Sequence, residues 1–180
     1  MKQLFIIASA LTMLVACNQS TSTNATTDSS NANNQSSTQS KEERNKQIAV
    51  NGVMGFVNGD TTYLTQTDAN CIDYNDGTMP PIKGIDSIRS IDIKMMSLWR
   101  SAFPDIKMKN ISAMAHGDSV MVWEDYSGTS KGDFMGMKPT GKSFDVYQVD
   151  YFVFTDDGKI LEHRMTPNFN EVAKQVGMKF

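Results

Sequence analysis

Three residues of this chain have side chains suited to moving protons: His163, Asp150 and Asp73. His163 lies in Ile160-Leu161-Glu162-His163-Arg164-Met165, where period-two alternation puts Leu161, His163 and Met165 on one face of a strand and Ile160, Glu162 and Arg164 on the other. An imidazole titrates near neutral pH, so His163 is a candidate general base. The alternative is a hydrogen-bonded wall histidine that only shapes its surroundings. Asp150 interrupts the run Val146–Phe152. On an inner face it would be a second acid with a pKa raised by burial; on the outer face it would meet solvent or a second subunit. Alternation does not decide, because both faces of this segment carry aromatics. Asp73, beside Tyr74, has the same two readings. Glu124-Asp125 and Asp156-Asp157 read as solvated charges.

Two widely separated histidines give no zinc-ligand spacing, and there is no Gly-rich phosphate loop, so neither a metal nor a cofactor is expected. The net charge of −3 and the scattered basic residues give no nucleic-acid surface.

The elements that must position these residues follow from the apolar pattern. Lys41–Asn58 reads as a helix in which Gly52 and Gly55 would allow close packing against a sheet. Thr61–Asp68 reads as a short helix and Ala69–Tyr74 as a strand. Ser87–Phe103, with Asp86 as N-cap, carries Ile88, Ile91, Met95, Leu98, Trp99 and Ala102 on one face and stops at Pro104. Strands follow at Ile106–Ala115, Ser119–Thr129, Ser143–Phe154 and Lys159–Thr166, with turns at His116-Gly117-Asp118 and Asp156-Asp157-Gly158. A last helix is capped by Asn168 or Asn170. Helices segregated on one face of an antiparallel sheet define an α+β domain.

The chain opens with Lys2, an apolar run Leu4–Ala16, and Cys17. The run is shorter than the roughly 20 residues that span a bilayer and suits a cleaved export signal. Leu14-Val15-Ala16-Cys17 resembles the bacterial lipobox, which implies a signal at 1–16 and a lipid on Cys17. The polar tract that follows has no aromatic or large aliphatic residue, so 17–45 reads as lipidated cysteine and disordered tether, and 46–180 as one domain. Asn18 after the cysteine is similar to sequences sorted to the outer membrane, facing the periplasm. Cys71 is then the one remaining thiol and reads as a small buried hydrophobe.

Within 46–180 several phrases stand in order: Pro81-Ile82-Lys83-Gly84-Ile85-Asp86-Ser87-Ile88, Ala102-Phe103-Pro104-Asp105, Ala115-His116-Gly117-Asp118-Ser119-Val120, Gly128-Thr129, Gly136–Lys142, Gly158-Lys159-Ile160-Leu161-Glu162-His163 and Gln175-Val176-Gly177. Together they resemble the SnoaL-like (polyketide cyclase/ester cyclase) branch of the nuclear transport factor 2-like superfamily. The resemblance implies a cone-shaped, strongly curved antiparallel sheet with helices packed on one side, an internal pocket, and a homodimer joined sheet to sheet. It would place Tyr74, Trp99, Phe103, Trp123, Tyr147, Leu161, His163 and Met165 at the pocket, although such aromatics equally suit a core. In the cyclases an aspartate two residues beyond the histidine acts as general acid/base. Here that position is Met165, and Asn168 stands where some relatives have another aspartate; neither titrates.

The resulting expectation is a lipid-anchored envelope protein whose domain binds a small, largely apolar molecule. The alternatives are a cyclase-, isomerase- or hydrolase-type enzyme using His163 with Asp150 or Asp73, and a structural subunit whose cone is filled by side chains. An open pocket would exclude the third, and a His–carboxylate contact inside it would favour the second.

Overall fold

The computed structural model describes residues 30–178, with side chains from residue 41 on. The signal, Cys17 and the first part of the tether lie outside the described residues. Helix α1 spans Ser30–Asn58, so it begins before Lys41. A 3-10 helix, Thr62–Gln66, leads into β1, Thr67–Asp73, and a short β2, Ile82–Lys83. Helix α2 is Ile85–Ala102. Four strands follow: β3 Lys107–His116, β4 Ser119–Thr129, β5 Ser143–Phe154 and β6 Ile160–Met165. Helix α3, Phe169–Val176, closes the described chain.

The six strands form one curved, unclosed sheet in the order β2-β1-β6-β5-β4-β3. β3 to β6 run antiparallel, as their short turns require. β1 joins the other edge of β6 in parallel and pairs with β2, a strand the sequence pattern does not announce. The fold is therefore α+β, with α1 packed on β3 and β4, α2 on β1 and α3 on β5. Asp86 is not the cap of α2. Gly84 holds that position at φ 79°, its N–H tied to the Cys71 carbonyl, and Asp86 sits in the first turn, where its charge suits the helix dipole.

The residues just before the expected domain start are attached to the sheet. Lys41 pairs with Asp118 and Asp156, Glu42 accepts the Gly117 N–H at 2.7 Å, and Asn45 is fully buried. Gly55 packs closely, but against Asp60 and the Tyr63 ring rather than the sheet, while Gly52 is buried with room beside it.

The register shifts in β1 between Thr67 and Ile72 and at two further places along the sheet. One lies between Lys109 and Ser112, where Asn110 has φ 54°. The other lies in β6: Phe154 pairs with Ile160 but Val153 pairs with Glu162, leaving Leu161 as the extra residue. An inserted residue reverses the facing of everything before it. Ile160 and His163 therefore point inward together, and Leu161 does not share the His163 face as strict alternation predicts.

On β5 the inner face carries Phe144, Val146, Gln148, Asp150, Phe152 and Phe154, all buried. On β4 it carries Val120, Val122, Glu124 and Tyr126. Two packed clusters result. One gathers Trp99, Phe103, Tyr126, Phe134, Phe144 and α3; the other gathers Val53, Leu64, Cys71, Ile88, Val120 and Phe152.

Candidate active site

Between these clusters lies a cavity of about 180 Å³. Its walls are mainly apolar: Val53, Phe56, Leu64, Ile88, Met95, Trp99, Met108, Phe152 and Ile160 among them. Its polar groups gather on β1, β5 and β6 and at one point of α2. An engineered apolar cavity of roughly 150 Å³ admits benzene, so this volume suits a molecule of one or two rings.

His163 stands between two carboxyl groups. Its Nε2 lies 2.8 Å from Asp150 Oδ1 and its Nδ1 3.2 Å from Asp73 Oδ1, and its ring stacks on Phe152 with centroids 4.7 Å apart. β1 and β6 lie side by side with Asp73 opposite His163, and β5 pairs with β6 so that Phe152 is opposite His163 and Asp150 follows two residues away on the same face. The strand order thus assembles three residues from three strands.

The second Asp150 oxygen accepts from Gln148 Nε2 at 2.7 Å, and Gln148 Oε1 accepts from Asn168 Nδ2 at 2.6 Å. Asn168 occupies the N-cap position of α3 but spends its side chain here rather than on the helix. Asp73 Oδ1 also accepts the Asn75 N–H at 2.7 Å.

The electrostatics follow from this geometry. Burial alone would push the His163 imidazole down, but the hydrogen bonds to Asp150 and Asp73 outweigh it and raise the ring to about 10. Burial pushes the Asp73 carboxyl up, yet the His163 hydrogen bond and charge hold it below the usual range. Near neutral pH His163 is an imidazolium with both N–H groups donating. In that state it has no free lone pair and bridges the two carboxyl groups.

Behind Asp150 lies Glu124, fully buried, with no donor to either carboxyl oxygen among the described residues. Burial and then the charge of Asp150 push it up to about 9, so it is neutral. The expectation of a solvated Glu124 is corrected: it alternates with Val122 and Tyr126 on the inner face. Asp125 lies on the outer side and accepts from Asn110.

A fourth carboxyl was not anticipated. Asp92 lines the cavity from α2, and the Tyr63 hydroxyl donates to its Oδ2 at 3.0 Å. The signal was present, since Asp92 follows Ile88 by four residues and precedes Met95 by three, on the helix's apolar face. Tyr126 also lines the cavity, and its hydroxyl has no hydrogen bond among the described residues.

Of the residues expected at the pocket, Trp99, His163 and Met165 line it, as do the candidate acids Asp150 and Asp73. Five others lie elsewhere. Phe103 is fully buried in the aromatic cluster. Trp123 and Tyr147 project from the outer face, Tyr147 being 59% exposed, because the inner face of each strand is the alternate set. Leu161 is the bulge residue, and Tyr74 lies under the Arg164 guanidinium at 3.8 Å. Among the described residues no cluster of three or more His, Cys, Asp or Glu could hold a metal ion, and no helix is long and apolar enough to cross a membrane.

The chain thus has an α+β architecture in which a curved, unclosed sheet and its helices enclose an apolar cavity with buried acids. Residues 56–176 match the family model described as SnoaL-like polyketide cyclase, and the chain belongs to that family. Solved structures with the same fold include AclR from Streptomyces galilaeus, described as a suggested hydroxylase: 23% identical, TM-score 0.62, covering 76% of this chain and 97% of that one. A suggested polyketide cyclase from Xanthomonas campestris pv. campestris is 16% identical at TM-score 0.64, covering 76% and 98%. A phenazine biosynthesis-related protein from Pseudomonas aeruginosa is 16% identical at TM-score 0.59, covering 81% and 92%. Comparison with curated proteins gives no match.

Proposed function

We propose that the domain is an acid–base enzyme of cyclase or isomerase type that acts on a small, largely apolar carbonyl compound. The observation that carries this reading is His163 held between Asp73 and Asp150 on the wall of an otherwise apolar cavity. A ligand shape-fitted to apolar walls needs no such cluster, which is costly to bury. Proton transfer does need it: carboxyl groups fixed in place and screened from water. The free Tyr126 hydroxyl supplies a donor for an oxygen that gains negative charge.

The test uses 2-indanone, a two-ring ketone, in D2O. The protein should accelerate exchange of its α-hydrogens saturably over buffer. Asp150→Asn and Asp73→Asn, which keep shape but break the clamp, should each lower the rate, by up to about the 10²–10⁴-fold usual for acid–base groups. A second reading rests on Met165, which lines the cavity at the place the family cyclases give to an aspartate. If 2-indanone binds but exchanges no faster than in buffer, the domain is a binding module and the catalytic reading fails.

The envelope setting belongs to the same proposal. The apolar run ending at Cys17 supports export and lipid anchoring, with the outer membrane as destination. Cys17→Ser should then abolish incorporation of labelled fatty acid. The family supports a homodimer through the outer sheet face, where Met114, Met121 and Tyr147 are exposed. Sedimentation should give about twice the chain mass.

A further inference from the structure

Helix α2 carries one carboxyl group on its apolar stripe. Ile88, Asp92, Met95 and Trp99 all line the cavity, so the Asp92 side chain faces the same space as Asp73, Asp150 and His163 from the helical side. The Tyr63 hydroxyl fixes one of its oxygens at 3.0 Å. The other, Oδ1, has no hydrogen bond among the described residues and is free to meet a ligand.

The three carboxyl groups differ in what they can do. Both oxygens of Asp150 are engaged, by His163 and by Gln148. Asp73 is bound by His163 and held below the usual range, which makes it a poor base. Asp92 has no cationic partner among the described residues. Burial, then the negative charge of Asp73, lifts it to about 6, against the opposing pulls of the Tyr63 hydroxyl and His163. A carboxyl near 6 is mostly ionised at neutral pH and still basic enough to accept a proton efficiently.

Resting on the acid–base reading above, we propose that Asp92 is the group that takes the proton from a one- or two-ring ketone and returns it, with Tyr63 as its positioning residue and Asp73–His163–Asp150 as a fixed charged clamp. The step balances without a co-reactant. Asp92 Oδ1 accepts the α-hydrogen as a proton, the C–H pair becomes the C=C bond of the enolate, and the carbonyl π pair moves onto oxygen. Return of the proton to carbon from Asp92 reverses these movements.

The test follows exchange of 2-indanone by the full chain as a function of pH. The groups that face Asp92 or share its cavity are Tyr63, Cys71, Asp73, Tyr126, Asp150 and His163. Of these, Cys71 is pushed up to about 12 and Tyr63 and Tyr126 rise further, His163 lies near 10, and Asp73 lies below the usual range. A limb near pH 6 is therefore assignable to Asp92, and the rate should rise with pH through it. Asp92→Asn should lower the rate 10²–10⁴-fold and remove the limb. Tyr63→Phe withdraws a hydrogen bond that favours the carboxylate, so the limb should move to higher pH. The carboxyl carbon of Asp92, followed by NMR across the same range, should titrate with the wild-type limb.

If Asp92→Asn folds and exchanges at the wild-type rate, or if the limb persists unmoved in Tyr63→Phe, the assignment of Asp92 is overturned while the acid–base reading stands. If Asp92→Asn does not fold, the Tyr63→Phe shift and the NMR titration decide. If the wild-type protein does not accelerate exchange, the acid–base reading itself fails and this inference with it.

Discussion

His163 bridges two buried carboxyl groups and holds Asp73 below the usual carboxylate range. Asp73 and Asp150 are 4% and 3% exposed, and among the described residues the imidazolium between them is the one cation either touches. Removing it would leave both without compensation, and breaking one side of a buried pair typically costs about 3–5 kcal/mol. His163→Ala should lose that much in urea unfolding at pH 5.5. The sign with pH follows from the raised imidazole: its stabilisation is full below the unfolded value of 6.5 and is lost as pH rises through about 10. The gap between wild type and variant should therefore shrink by pH 10.5. A gap of equal size at both values would show that packing on Phe152, not charge, is what the histidine supplies. His163, Asp150 and Asp73 are legible in the sequence as residues able to titrate. Their meeting is not, because Asp73 comes from a strand 90 residues upstream that joins β6 in parallel. Glu124 was misread because its exposed neighbour Asp125 made the pair look like a solvated charge run, although Val120, Val122 and Tyr126 mark its face as inner.

Two glycines on one helix turn show how α1 shapes the site. At Gly55 a Cβ would sit 2.8 Å from both the Asp60 carbonyl and the Tyr63 ring, so the 3-10 helix lies against α1 only because there is no side chain there. Gly55→Ala should push Tyr63 away from Asp92 and destabilise the domain by about 1–3 kcal/mol. At Gly52 nothing lies within 4 Å, so alanine there should be tolerated and should stabilise the helix by up to about 1 kcal/mol. Thermal unfolding of both variants checks the contrast, and equal shifts of the same sign would contradict it. Element positions were largely readable: β4 and β5 occupy the predicted spans, and α2 differs by a residue or two. What alternation cannot reveal is the bulge at Leu161. One uncounted residue reversed the facing predicted for the start of β6 and so put Leu161, rather than Ile160, at the pocket.

Across the whole domain, the buried acids and the histidine give stability a direction with pH. Glu124, Asp92 and His163 all have folded values raised above their ordinary ones, to about 9, about 6 and about 10. Each therefore binds a proton in the folded state that the unfolded chain has released. Stability from such groups is complete below the unfolded value and declines as pH rises toward the folded one. Asp73 has the opposite sign, but its contribution is lost only as pH falls below its ordinary 3.8. The domain should accordingly be most stable near pH 4–5 and lose stability toward pH 9. Each group contributes a slope of about 1.4 kcal/mol per pH unit while its folded and unfolded protonation differ. Glu124 covers the widest part of this window, from 4.5 to about 9. Glu124→Gln replaces the protonated acid by a neutral group of the same shape. It should leave stability near pH 4 unchanged, raise it at pH 7 by about 3–4 kcal/mol, and flatten the decline by one proton's worth of slope. Urea unfolding at half-unit pH steps would show this. Wild-type and variant curves that stay parallel from pH 4 to 9 would mean that Glu124 is not held neutral behind Asp150.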